Sequence, residues 1–235
     1  FLFKKCFATL RAVGAQNEAD VQRLHAVGCQ AEAVHVTGNL KFDGALTTPK
    51  PTLDVLTLLN GLGAKPDTPV IVAGSTHDGE ELLLAKIFLK LKNRFNGLML
   101  VIVPRHCERA KSVGEQLRTA GVPFAFRSKI DADTRADCLV VDSTGELRLF
   151  YQAATVVFVG KSINAHGGQN PIEPAALGKA MIYGPNMQNF RAVTAALNNA
   201  DAALLVRNEA GLEVALAALL GDADRCTKMG QNALD

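Results

Sequence analysis

Cysteine is scarce in this chain and poorly spaced for chemistry. Cys6, Cys29, Cys107, Cys138 and Cys226 stand far apart, are odd in number, and form no Cys-x-x-Cys or Cys/His metal spacing. That argues against a disulfide scaffold or a zinc module and fits a reduced, cytosolic setting. No apolar run reaches the roughly 20 residues of a membrane-spanning helix, and the first residues do not read as a signal peptide. Charge of one sign is not in excess. The 25 basic and 23 acidic residues leave a net charge of +2, so nothing points to nucleic acid as a partner. No carboxylate cluster resembles a magnesium site, and there is neither an internal repeat nor a low-complexity tract. What is present is 235 residues, 48% hydrophobic and 20% charged. That is enough for one large or two small domains with a sizeable core.

The most informative stretch runs from Thr155 to Pro185. Thr155 to Val159 is β-branched and uncharged, as a strand buried on both faces should be. A loop of small and polar residues follows Gly160 and ends on Gly167-Gly168. Asn170 stands where a helix N-cap belongs, Pro171 at the first helical position, and Glu173 three residues after the cap. A short helix to Leu177, closed by Gly178, leads to a further strand over Ala180 to Tyr183. A strand, a glycine pair and a capped helix together predict an anion site, with backbone N–H groups of Gly167 and Gly168 approaching a phosphate.

Three further motifs each follow a predicted strand. Gly74-Ser-Thr-His-Asp-Gly-Glu-Glu81 follows a strand over Pro69 to Ala73, with Ser75 or Thr76 as helix cap and Asp78, Glu80 and Glu81 suiting the first turn's dipole. Pro104-Arg-His-Cys-Glu-Arg109 ends a strand over Leu98 to Val103. Arg105 there offers a planar fork of donors suited to phosphate or carboxylate. His106 reads as a loop-packing ring, and Glu108 with Arg109 as a helix-start ion pair. Asp142-Ser-Thr-Gly-Glu146 follows strands over Pro123 to Arg127 and Cys138 to Val141 and opens a helix from Leu147 to Gln152. The polar stretch between those two strands, Ser128 to Asp137, reads as a mobile loop. The Lys86, Lys90 and Arg94 stripe reads as a solvated helix face. Toward the amino terminus, a strand is expected near Cys6 to Val13, a helix capped by Asn17 and closed by Gly28, and a strand over Ala33 to Val36. Strands and helices alternate from residue 69 onward. This predicts an α/β fold with a parallel, Rossmann-like sheet and all four motifs on one sheet edge.

Gly167-Gly168-Gln169-Asn170-Pro171-Ile172-Glu173-Pro174-Ala175-Ala176 resembles the donor-site motif of the Kdo transferases. These enzymes move 3-deoxy-manno-octulosonic acid (Kdo) from CMP-Kdo onto a lipid A precursor in lipopolysaccharide synthesis. The Gly-Ser-Thr-His and Pro-Arg-His motifs, Thr144-Gly145-Glu146 and Thr37-Gly-Asn-Leu-Lys-Phe-Asp43 agree with that family in the same order. Asp78 replaces the family's usual glutamate, and Asn186 a histidine.

The resemblance implies the carboxyl-terminal, donor half of a two-domain GT-B glycosyltransferase. Residues 1–43 would then be the end of the acceptor domain and the interdomain segment, and residues 44–235 a truncated CMP-Kdo domain. It implies a transition-state role for Lys41. CMP-Kdo contacts are implied at Ser75, Thr76, Pro104, Arg105, Thr144, Gly145, Glu146, Gly167, Gly168, Asn170, Pro171, Ile172 and Glu173. The general base would be a glutamate upstream of Phe1. No metal or other cofactor is expected. The lipid A precursor would be engaged through the other domain, with peripheral association at the cytoplasmic face of the bacterial inner membrane. Another sugar-nucleotide enzyme of the same fold, such as a UDP-sugar transferase or epimerase, and a nucleotide-binding module without catalysis remain alternatives.

Overall fold

The computed structural model describes residues 2–38 and 53–235. The chain divides into two compact units, Phe1–Thr48 and Pro49–Asp235. In the smaller unit, helix α1 (Leu2–Phe7) precedes strand β1 (Val13–Ala15), helix α2 (Glu18–Val27) and strand β2 (Val34–Val36). The two strands pair in parallel, with Val13 opposite Val34. The Asn17 side chain accepts from the Asp20 N–H, and Gly28 closes α2 at a φ of 114°, as the cap pattern predicts. A strand does not begin at Cys6. The helix continues through Phe7, whose ring packs with Val13 and Leu24 on the small core of Ala15, Val21, Cys29 and Val34.

The larger unit opens with helix α3 (Val55–Leu62), capped by the Asp54 carboxylate. It then builds a seven-stranded parallel sheet. The strands are β3 (Val70–Thr76), β4 (Met99–Pro104), β5 (Phe124–Phe126), β6 (Cys138–Val140), β7 (Val156–Val159), β8 (Met181–Tyr183) and β9 (Ala203–Leu205). Their spatial order is β5-β6-β4-β3-β7-β8-β9. The helices between them are α4 (Glu80–Lys92), α5 (Ala110–Ala120), α6 (Leu147–Ala153), α7 (Ile172–Ala175) and α8 (Arg191–Asn199), and α9 (Glu209–Leu220) and α10 (Ala223–Leu234) follow β9.

Both sheet faces are buried, and successive strand residues alternate between them. Val70, Val72, Val101, Leu139, Val157 and Met181 pack under α3, α6 and α8. Ile71, Ala73, Leu100, Val140, Phe158 and Ile182 pack under α4, α5 and α9. This double burial is why the strands read as continuous apolar runs rather than alternating ones. The stretch 128–137 is tied down in two places. Thr134 bonds to the Asp131 carboxylate at 2.5 Å, and Arg135 donates to the carbonyls of Gly61, Ala132 and Thr134.

The strand order places the site. From β3 the chain passes to β4, goes on to the edge strand β5, returns to insert β6 between β5 and β4, and then crosses to the opposite side of β3 to form β7, β8 and β9. The segments leaving β3 and β7 therefore diverge to opposite sides, which opens a crevice at their carboxyl ends.

Candidate active site at the sheet's carboxyl edge

The four sequence motifs emerge on this one edge, after β3, β4, β6 and β7. The first behaves differently from its reading as a cap. β3 continues through Gly74, Ser75 and Thr76, so α4 starts at Glu80 and neither hydroxyl caps it. Thr76 is fully buried, and its hydroxyl donates to Glu81 Oε1 at 2.9 Å, leaving it no surface for a ligand. Ser75 is half-buried at a φ of 53°, in the left-handed region that a non-glycine residue adopts at a cost.

The two glutamates that follow brace the edge. Glu81 is fully buried and takes the Arg109 guanidinium at 2.7 and 3.3 Å. Arg109 also reaches Asp78 at 3.2 Å, so its partners lie across the edge and not at the adjacent Glu108. The Glu81 bond is the main reason the Arg109 guanidinium holds its proton more tightly than usual. Glu80, also fully buried, accepts backbone N–H bonds from His77 at 2.9 Å, Lys161 at 2.8 Å, Ser162 at 2.9 Å and Ile163 at 3.2 Å. Three of those donors belong to the loop after β7. β3 and β7 also touch directly here, because a Cβ on Gly160 would stand 2.4 Å from the Ser75 carbonyl oxygen. Only glycine fits that approach.

The loop from Lys161 to Asn170 is cross-linked throughout. Lys161 has a φ of 55°. The Asn186 side chain donates to the Ile163 carbonyl at 2.8 Å. Gly167 and Gly168 have φ values of 109° and 71°, but their N–H groups are committed inside the loop. Gly167 donates to Gln188 Oε1 at 2.7 Å, and Gly168 to the Lys161 carbonyl at 3.1 Å. The pair therefore shapes the loop in this structure and does not present two free donors to a phosphate.

Helix α7 starts at Ile172, one residue later than expected. Pro171 holds the cap position and offers no side-chain acceptor, while Asn170, one residue earlier, accepts from the Ile172 N–H at 3.1 Å. The Asn170 amide donates to Glu173 Oε1 at 3.1 Å, so the reciprocal contact joins two side chains. Glu173 is half-buried, and Pro104, Pro171 and Ile172 are buried around this edge. Tyr151 rises from α6 until its phenol lies against Gly74. Burial, and secondarily the Glu173 charge, push the Tyr151 phenol upward in pKa.

After β6, Thr144 and Gly145 are exposed, and Glu146 is half-buried with its carboxylate held by Ser143 and by Arg127 at 3.4 Å. Nearby, Arg127 Nε and two nitrogens of Arg148 are buried without a hydrogen-bond partner. Arg105 is exposed at the tip of β4 and has no side-chain hydrogen bond or ion pair among the described residues. Lys41 lies outside the described residues.

Sequence reasoning passed over two groups that stand at this edge. His77 is half-buried, its Nε2 lies 3.3 Å from Gln169 Nε2, and its ring meets His106 edge-on at 6.2 Å. Burial first, then Lys161, Arg109 and His106, pull its pKa below the usual histidine value, so it is neutral near pH 7. Lys161 is the second group. Strain gives a signal for it: a lysine held at positive φ beside a ligand crevice is rare. Arg105 and Lys161 thus supply cationic charge, while Glu81 is paired with Arg109 and Glu80 is occupied by four backbone N–H groups. The edge can bind an anion and stabilise negative charge as it develops. Among the described residues no group of three His, Cys, Asp or Glu side chains could hold a metal ion, and no helix is long and apolar enough to cross a membrane.

A family model described as 3-deoxy-D-manno-octulosonic-acid transferase (kdotransferase) matches residues 1–44. The 3-deoxy-D-manno-octulosonic acid transferase of Haemophilus influenzae is 32% identical over 226 residues, covering 95% of this chain and 52% of its own length. That of Bordetella pertussis is 35% identical over 193 residues, covering 80% of this chain and 44% of its own. The chain thus spans about half the length of the curated relatives it matches. Among solved structures, the carboxyl-terminal CMP-Kdo binding domain of WaaA from Acinetobacter baumannii superposes with a TM-score of 0.66 at 28% identity, covering 72% of this chain and 88% of that one.

Proposed function

Because the chain belongs to the 3-deoxy-D-manno-octulosonic acid transferase family, we propose that it forms the donor-binding part of an enzyme that transfers Kdo from CMP-Kdo to a lipid A precursor. In this reading residues 1–43 end the acceptor domain and residues 44–235 bind the donor. One observation carries it. The edge where β3 and β7 part gathers two cations, Arg105 and Lys161, that have no carboxylate partner among the described residues, beside the 167–173 segment that resembles the family's donor motif.

The chemistry follows from the bond that breaks. Transfer from CMP-Kdo separates an anomeric carbon from a phosphate oxygen, and negative charge grows on the departing CMP. Fixed cations at that oxygen lower the barrier most when they are already in place. Arg105 suits this task because its donors form a rigid fork. We assign Glu173 to the ribose hydroxyls, Thr144 to Glu146 to the rest of the nucleotide, and a transition-state role to Lys41. The cations make a bound metal unnecessary in this scheme. The acceptor would be engaged by the other domain at the cytoplasmic face of the inner membrane, with peripheral association.

Titration calorimetry of the chain with CMP and UDP tests the reading. CMP is expected to bind at least about tenfold more tightly, a difference of about 1.4 kcal/mol. A preference for UDP would move the chain to the UDP-sugar enzymes.

A further inference from the structure

We infer that Glu80 is a positioning residue: its carboxylate holds the loop after β7 in the shape that receives the donor's phosphate. The inference rests on the reading of this edge as a nucleotide site. Glu80 stands at the first position of α4, where a glutamate ordinarily meets water and the helix dipole. Instead it is fully buried and reaches the opposite lip of the crevice. Both of its oxygens are engaged. Oε1 accepts from Ser162 and Ile163, and Oε2 from His77 and Lys161. Among the described residues no cation pairs with it.

The carboxylate thus acts as an anion already installed between the two lips, gathering successive N–H groups that would otherwise be unpaired. One of these belongs to Lys161, whose backbone is held at a φ of 55°. A conformation of this kind persists only where surrounding bonds over-determine it. The consequence reaches the ligand side, because the same residue's carbonyl takes the Gly168 N–H and its side chain lies 3.8 Å from where a Gly167 Cβ would stand. Glu80 therefore fixes Lys161, and Lys161 fixes the glycine pair that leads into Asn170.

Glu80→Gln tests this. The amide presents one acceptor oxygen and a donor NH2 to four N–H groups, so the loop loses its clamp while side-chain volume is kept. Three readouts are compared between the unsubstituted chain and the variant: amide hydrogen exchange of Lys161 to Ile163, calorimetric affinity for CMP, and affinity for cytidine, which lacks the phosphate. The expected result is faster exchange at those amides, CMP binding weakened about tenfold, and cytidine binding unchanged within about twofold. CMP and cytidine weakening together would overturn the inference, because Glu80 would then serve the fold as a whole. Faster exchange with unaltered CMP affinity would overturn it too, leaving a brace with no bearing on the ligand. Should Glu80→Gln fail to fold, Glu80→Asp keeps the charge but shortens the reach, and the same pattern is expected at smaller size. If the unsubstituted chain bound CMP no better than cytidine, the functional reading would fall, and with it the phosphate half of this inference. The exchange data would then still decide whether Glu80 holds the loop.

Discussion

Helices α4 and α7 both begin beside the crevice with glutamate in the first turn, yet those glutamates do different work. Glu173 is half-buried, and its hydrogen bond joins Asn170, three residues away. Glu80 and Glu81 are fully buried, and beside the local His77 N–H and Thr76 hydroxyl they take partners from distant parts of the chain: Lys161 to Ile163 for one, Arg109 for the other. A carboxylate in water at a helix start gains a few tenths of a kcal/mol to about 1 kcal/mol from the dipole. One removed from water must be fully bonded or it destabilises the fold. Local sequence looks the same in both cases, and burial alone separates a cap from a keystone.

Removing Glu81 should have the largest effect. Among the described residues, Glu81→Ala leaves Arg109 with the Thr76 carbonyl at 3.4 Å and, as its one carboxylate, Asp78, a side chain that is 89% exposed. Breaking a buried pair from one side costs about 3–5 kcal/mol, and the lower end is expected because the Arg109 side chain keeps 23% exposure. Urea unfolding measures this. A loss under about 1 kcal/mol, the value of a surface pair, would place Glu81 with Glu173 and erase the contrast.

The two arginines sharpen the comparison from the ligand side. Arg105→Ala should weaken CMP binding about ten- to a hundredfold, the loss of a charged hydrogen bond, with stability nearly unchanged. Arg109→Ala should do the reverse, lowering the melting temperature more than the affinity through a displaced brace. Equal effects of the two alanines on affinity would mean that the wrong arginine has been assigned.

The smallest effect is expected at α7. Glu173→Gln keeps a hydrogen-bonding group beside Asn170, so stability should fall by less than about 1 kcal/mol. CMP affinity should still drop, because a charge-assisted bond to ribose becomes a neutral one. A variant that binds CMP as the parent does while melting lower would make Glu173 a cap and nothing more.

Much of the fold was legible in the sequence because its signals are local. Val156 to Val159 shows its double burial as an uncharged β-branched run, and the cap at Asn17 appears as a single polar residue before a periodic segment. The site was legible as an address. Four polar motifs after four strands were expected on one sheet edge and emerge there, and Arg105 stands exposed at its strand tip. Orientation was not legible. Thr76 looks like a cap, but β3 runs on through it and turns its hydroxyl inward to Glu81. The N–H groups of Gly167 and Gly168 look available, but Gln188 and the Lys161 carbonyl take them. Each of these partners lies at least five residues away, where no periodicity reports it.

The account's central claim is that the carboxyl edge of β3, β4, β6 and β7 is where the nucleotide sits. Amide chemical-shift mapping with CMP tests it most directly. A separate cleft of about 410 Å³ lies between the start of α3 and α6, lined by Leu53, Val55, Leu56 and Leu149. The account predicts shifts at Arg105, at Thr144 to Glu146, at Lys161 and at Asn170 to Glu173, with that cleft unmoved. Shifts centred on Leu53 to Leu56 and Leu149, with the sheet edge silent, would contradict it.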